Sequence, residues 1–214
     1  MRRVLGRANS SNVMKVIWLL DELRLPYRRE DVGGAFGGTN TPEYLAMNPN
    51  GTVPTLVEDE PGGKGGFVLW ESNAILRYLC AANAPGSEMW PESDVRARAS
   101  IDRWMDWDAA TLLRAQGPLF MGLVRTPPER RDAAAIAANL AATARLWTIL
   151  DGILARVPYV AGPVFTLADI PAGVQVHRWF SFAVEQPDLP HLRAWYDRLL
   201  QRPAYRDHCA GPVT

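Results

Sequence analysis

The sequence predicts an α/β first part, ordered β-α-β-α-β-β-α, followed by an all-helical remainder. Three observations carry that expectation. Short apolar runs alternate with helix-period segments as far as about residue 82, and strands then stop. Ala84-Pro85-Gly86-Ser87 breaks the last helix of the series and precedes a change in composition. Beyond it, every apolar pattern has helical spacing. We therefore divide the chain into residues 1–84 and 90–214.

Arg2 to Leu5 is a short first strand, and Gly6 to Asn9 turn into a helix over Val13 to Leu23. Val13, Val16, Ile17 and Leu20 keep one face of that helix apolar, and Leu25-Pro26 ends it. Tyr27 to Val32 is a second strand, and Gly33 to Asn40 a glycine-rich loop carrying Phe36. Thr41 caps a short helix with Pro42 at its first position, running to about Met47. Thr55 to Glu58 and Phe67 to Trp70 are strands three and four, joined by a glycine-rich hairpin turn from Glu60 to Gly66. Ser72 to Ala82 is the helix that closes the first part.

In the second part a long helix runs from Ser93 or Asp94 to about Gln116, with Ile101, Trp104, Asp108 and Leu112 along one face. Thr126-Pro-Pro128 introduces another, whose alanine-rich stretch, Ala133 to Ala144, suggests close helix packing. A third runs from Thr166 to Phe182, with Thr166 as N-cap, Asp169 at N3, and Phe165 and Ile170 as a hydrophobic staple. Pro190 to Leu200 is the fourth, and Arg202-Pro203 stops it.

Charge excludes some partners. With 23 basic and 23 acidic residues, nothing points to nucleic acid or to an anionic membrane surface. No signal peptide is expected, and no uninterrupted apolar run approaches the ~20 residues that span a bilayer. Cys80 and Cys209 lie far apart, and His177, His191 and His208 are scattered, so no metal site is expected. The cysteines read as reduced thiols of a cytoplasmic protein.

Chemistry concentrates between Asn48 and Leu79. Val53-Pro54 sits where the third strand begins and is a candidate cis peptide bond. Glu71-Ser72 joins an apolar strand to an amphipathic helix. Ser72 is a good N-cap there, and the free N–H groups and dipole of a helix start attract a carboxylate. A strand edge beside such a junction suits an extended, acidic peptide.

Taken together, these motifs resemble the glutathione S-transferase family along the whole chain. The resemblance rests on Asn48-Pro49-Asn50-Gly51 with Val53-Pro54, and on Leu69-Trp70-Glu71-Ser72-Asn73-Ala74-Ile75. It continues in Gly162 with Thr166-Leu167-Ala168-Asp169, and in Pro190 to Trp195 with Arg202-Pro203-Ala204. The Asn9-Ser10-Ser11-Asn12-Val13 turn resembles the bacterial, theta-like branch, which has a serine at the thiol. The resemblance implies a thioredoxin-like first domain with a mixed four-stranded sheet that binds glutathione. An all-helical second domain would line an electrophile pocket.

It also implies roles. A free thiol near pKa 8.5 is only ~3% ionised at pH 7, and lowering that pKa by two units takes about 2.7 kcal/mol. One charge-assisted hydrogen bond supplies roughly 1.5–3 kcal/mol, and a helix N-terminus up to about 1. Ser10 has the family spacing for that hydroxyl, with Ser11 and Asn12 as competitors in the same turn and N-capping as the bland alternative. Val53, ahead of Pro54, would pair its backbone with the cysteinyl unit of glutathione. Glu71 would hold the γ-glutamyl ammonium, and Ser72 the carboxylate.

The family often carries a cation just before the Val-Pro pair for the glycyl carboxylate, and here the residue is Thr52. Thr39 or Asn40 is the expected substitute, and Phe36 either covers the peptide or packs as a loop aromatic. Trp107, Phe120 and Met121 are candidates to line the electrophile pocket. Asp102 could reach a partner subunit's ligand in a homodimer. The expected activity is thiolate attack on a small electrophile, with glutathione as co-substrate and no metal. A non-catalytic or chaperone-like binding module is the alternative. A disulfide oxidoreductase fits poorly, since no cysteine occupies the Ser10 turn.

Overall fold

The computed structural model describes residues 1–59 and 66–214, so most of the expected hairpin turn lies outside the described residues. The chain forms two compact units, Met1–Ser87 and Glu88–Thr214.

The first unit holds β1 (Arg2–Leu5), α1 (Ser11–Glu22), β2 (Arg28–Glu30), α2 (Pro42–Met47), β3 (Thr55–Asp59), β4 (Gly66–Trp70) and α3 (Ser72–Asn83). The sheet order is β2-β1-β3-β4, with β1 and β2 parallel and the other pairs antiparallel. Side chains alternate across the sheet, and the two faces divide accordingly. Leu5 and Val57 pack with Tyr44 of α2, joined by Val32, Met47, Val53 and Val68. Val4 and Leu56, pointing the other way, are fully buried together with Val16, Trp18 and Leu20 of α1 and Ile75, Leu76 and Leu79 of α3. Thr41 caps α2 as expected, its hydroxyl accepting the Tyr44 N–H at 3.2 Å.

The second unit is helical, and its elements depart from the sequence expectation in four places. Asp94 caps α4 (Val95–Trp107) through the N–H groups of Arg96 and Ala97. The helix then passes through a π-helical segment, Asp108–Leu112, into α5 (Leu113–Phe120) and a second π segment, Met121–Arg125. The helical run thus goes beyond Gln116, through Gly117 and Pro118. Proline removes only one backbone donor, and the final turn closes with the Thr126 N–H on the Met121 carbonyl, five residues back, at 2.9 Å.

The second departure concerns α6 (Ala133–Leu154), capped by Asp132. Its alanines 133–135, 137, 138 and 141 are exposed rather than closely packed; Thr143, Trp147, Leu150 and Leu154 are the buried positions. By length and a mean hydropathy of 1.4 this one helix could cross a membrane. The sequence expectation counted only uninterrupted apolar runs, which Asn139, Thr143 and Arg145 break. Within the unit α6 packs on α5 and on α8 (Pro190–Leu200).

Third, α7 (Asp169–Ser181) begins three residues later than expected. Asp169 is wholly buried and accepts from the Thr166 N–H at 2.9 Å, the Val160 N–H at 2.9 Å and Trp195 Nε1 at 3.0 Å. The Thr166 hydroxyl in turn accepts the Ala168 N–H at 3.3 Å. Fourth, α8 ends at Leu200 before Arg202-Pro203 as expected, but Pro203 starts a further helix beyond the sequence expectation. This is α9 (Pro203–Cys209), with Pro203 at a first-turn position where its missing N–H is not needed.

Candidate functional site

Strand register gathers four turns at one end of the sheet. Leu5 pairs with Glu30 on one side and Thr55 on the other, and Thr55 pairs with Trp70. The segments that continue beyond this row are Gly6–Ser10 after β1, residues 31–41 after β2, Asn48–Pro54 before β3 and Glu71–Ser72 after β4. Residues more than sixty positions apart in sequence therefore share one edge of the first unit.

Ser10 takes the N-cap position of α1 with extended backbone, φ −82° and ψ 123°, but its side chain caps nothing. It is buried, and its hydroxyl enters no hydrogen bond among the described residues. N-capping by the Ser10 side chain, the bland alternative, is therefore not realised. Ser11 is the first residue of α1 and half-buried. Asn12 faces the next turn, where its Oδ1 accepts a 3.3 Å hydrogen bond from the Ser72 hydroxyl. The Ser10 turn and the Glu71-Ser72 turn are thus tied together directly.

Ser72 is buried, but it is not the N-cap of α3; it is the first helical residue, and Glu71 holds the cap position. Glu71 sits at φ 72°, ψ 110°, in the left-handed half of the map, where a side chain costs about 1–3 kcal/mol. That conformation turns the chain sharply from β4 into α3. The Glu71 side chain makes no cap hydrogen bond to α3, whose dipole is positive at this end. The exposed Glu71 carboxylate has no ion-pair partner among the described residues.

The Val53-Pro54 peptide bond is cis, and the Val53 N–H and C=O are outside the paired residues of the sheet and the turn hydrogen bonds. The preceding loop is fixed by two residues that sequence reasoning missed. The Tyr44 hydroxyl donates to the Thr52 carbonyl at 2.6 Å, and Asn48 Nδ2 to the same carbonyl at 2.9 Å. Both also meet the Thr55 hydroxyl, at 2.9 and 3.1 Å. Burial pushes the Tyr44 phenol up, keeping it a neutral donor. The signal available for Asn48 was its place at the head of Asn-Pro-Asn-Gly. Tyr44 read only as a helix residue.

Thr52 itself points an exposed side chain outward. Of its expected substitutes, Thr39 is half-buried against Gly33 and Asn40 is exposed. Phe36, in the single helical turn Gly34–Phe36, is 60% exposed and does not pack as an ordinary loop aromatic.

The candidates from the helical unit are dispersed within it. Trp107 is half-buried and meets Trp104 edge-to-face at 5.3 Å between centroids. Phe120 is buried, with the Arg178 and Arg125 guanidiniums 4.4 and 5.5 Å from its ring centre. Met121 is 54% exposed on the second π segment, and Asp102 is half-buried on α4. Cys80 and Cys209 are buried free thiols. Burial pushes Cys80 to about 11 and also raises Cys209 well above its ordinary value, so neither offers a thiolate.

Comparison with known proteins agrees with this layout. Residues 9–82 match the family described as glutathione S-transferase, N-terminal domain, and residues 117–203 its C-terminal domain. The chain is 43% identical to glutathione S-transferase GstB of Escherichia coli K12 over 98% of both chains. It is 29% identical to the disulfide-bond oxidoreductase YfcG of the same organism, over 92% of this chain and 89% of the relative. A theta class glutathione S-transferase from Xanthomonas axonopodis pv. citri, solved with glutathione bound, superposes with a TM-score of 0.91 at 46% identity, covering 100% of this chain and 99% of that one. An α/β unit, a helical second unit and matches to both domains together make this chain a member of the glutathione S-transferase family.

Proposed function

We propose that the protein is a glutathione transferase that activates the glutathione thiol for attack on small electrophiles. One observation carries the reading: Ser10, a buried residue whose hydroxyl has no hydrogen bond among the described residues, stands at a helix start that Asn12 hydrogen-bonds to Ser72 of a second helix start, where the Glu71 side chain makes no cap bond. The first fits a thiolate, the second a carboxylate.

In this reading the Ser10 hydroxyl donates to the sulfur, with Ser11 and Asn12 as the nearest alternatives in the turn. The cysteinyl backbone pairs with Val53 beside Pro54. The γ-glutamyl carboxylate takes the Ser72 N–H and the Ser72 hydroxyl, which exchanges Asn12 Oδ1 for the ligand, and Glu71 takes the ammonium. The thiolate sulfur forms a bond to the electrophilic carbon, and the carbon–halogen bond breaks with its electron pair leaving as halide. The protein contributes a stabilised nucleophile and positioning, with no covalent enzyme intermediate. Trp107, Phe120, Met121 and Phe36 stand as the candidates for contact with the electrophile. A homodimer working in the cytoplasm, in detoxification or dehalogenation, completes the proposal.

The exposed Thr52, where a cation was expected, favours the alternative of a binding module with weak glutathione affinity. The two readings separate in one experiment. A panel of haloacids, haloalkanes, epoxides and peroxides is incubated with glutathione and the protein, and product or thiol loss is followed. A transferase turns over at least one class well above the uncatalysed rate. Retention on immobilised glutathione without turnover of any class would leave the binding module.

A further inference from the structure

Arg7 is a cation near the Val53 turn. It follows Gly6 in the turn after β1, where the Gly6 N–H bonds the Glu30 carbonyl at 2.8 Å and the Arg7 N–H bonds the Val32 carbonyl at 3.0 Å. The exits of β1 and β2 therefore run side by side, and the Arg7 side chain lies along the glycine loop. A Cβ placed on Gly34 would fall 3.0 Å from Arg7 Cδ and 3.1 Å from Nε. One placed on Gly33 would fall 3.5 Å from Nη1, 3.2 Å from Val53 Cγ1 and 3.3 Å from Thr39 Cγ2. Gly33 and Gly34 also have φ of 81° and 61°, so both space and backbone call for glycine. The glycines leave a channel in which the arginine stem lies flat, next to Val53 and Thr39.

Arg7 is half-buried as a residue, and its guanidinium has no hydrogen bond or ion pair among the described residues. Neighbouring carboxylates are already engaged: Glu30 with Arg3 and Arg28, and Asp31 with Arg29. A partly desolvated cation without a counter-ion is an unfilled anion site, and guanidinium geometry matches a carboxylate in bidentate fashion. We propose that Arg7 is the carboxylate-binding residue of this site. The carboxylate comes from the glycyl end of glutathione or from an acidic electrophile. The inference rests on the glutathione reading of the site, and its test is separable from turnover.

Three ligands decide it: S-benzylglutathione, its glycyl ethyl ester and S-(4-carboxybenzyl)glutathione. Their affinities are measured by titration calorimetry on the wild type, Arg7→Gln and Arg7→Lys. If Arg7 holds the glycyl carboxylate, Arg7→Gln weakens S-benzylglutathione by about tenfold or more and leaves the ester unchanged. If it holds an electrophile's carboxylate, the wild type prefers the carboxybenzyl ligand by a similar factor and Arg7→Gln abolishes the preference. Arg7→Lys keeps the charge and retains part of whichever discrimination exists. Equal weakening of all three ligands, or no weakening of any, overturns the proposal. Turnover of 1-chloro-2,4-dinitrobenzene is followed on the same samples; its absence counts against the transferase reading while the ligand comparison still judges Arg7.

Discussion

Ser10 and Ser72 occupy equivalent places, at or next to the first residue of a helix, yet each is released from the duty that serine usually has there. The Ser10 side chain caps nothing, and Ser72 lies one residue inside its helix and bonds Asn12. Their substitution should therefore affect binding and chemistry more than stability. Ser10→Ala removes a charge-assisted hydrogen bond to the thiolate, so the rise of kcat/KM with pH should move up by about 1–2 pH units. Stopped-flow conjugation from pH 5.5 to 9 measures it, and an unmoved profile would transfer the role to Asn12 or Ser11. Ser72→Ala should weaken glutathione by about tenfold while costing the free protein less than the ~1 kcal/mol of a lost cap. Calorimetry and urea unfolding on the same variant separate the two. The buried thiols give a third residue-level expectation. Cys80 and Cys209 should resist an aromatic disulfide reagent at pH 8 in the native protein and both react in denaturant.

At the scale of elements, the start of α7 shows how burial and hydrogen bonding compete. Burial pushes the Asp169 carboxyl from its ordinary 3.8 up to about 6, although donors from Val160, Thr166 and Trp195 pull the other way. The folded state therefore holds the proton better than the unfolded chain does. That contribution, on the order of 3 kcal/mol, is complete below about pH 4 and lost as pH rises through about 6. Asp169→Asn cannot titrate. The stability difference between wild type and variant, from urea unfolding at pH 4.5 to 7.5, should shrink as pH rises; a constant difference would refute the assignment. Thr166 and Asp169 were legible in the sequence as an N-cap and its N3 residue, but the later helix start was not. It is set by Asp169 reaching Val160 and Trp195, contacts that no local pattern encodes. The run through Gly117 and Pro118 was hidden for the opposite reason: local signals said stop, yet both residues lie within α5, between the two π segments.

For the molecule as a whole, ligand binding should register as stability. Saturating glutathione at 100 times its dissociation constant would stabilise the folded state by about 2.7 kcal/mol. Thermal unfolding with and without glutathione should show a concentration-dependent rise in Tm, much reduced in Ser72→Ala at the same glutathione concentration. No rise at any concentration would remove glutathione as the ligand.

The sequence alone determined the order of strands and helices in the first unit, the cis-prone Val53-Pro54 pair and the Glu71-Ser72 junction. These depend on neighbours within a few residues: period-two and period-3.6 patterning, proline, and helix-start chemistry. The mutual arrangement of those pieces came only with the tertiary structure. Sheet register, fixed by Leu5 between Glu30 and Thr55, gathers four distant turns at one edge. There Asn12 meets Ser72, Tyr44 and Asn48 hold the Thr52 carbonyl, and Arg7 comes to lie beside Val53. Long-range pairing has no signature in a local window, which is why Asn48 to Leu79 read first as a site for some acidic peptide with a cation missing at Thr52. In the fold a cation, Arg7, stands in a different turn.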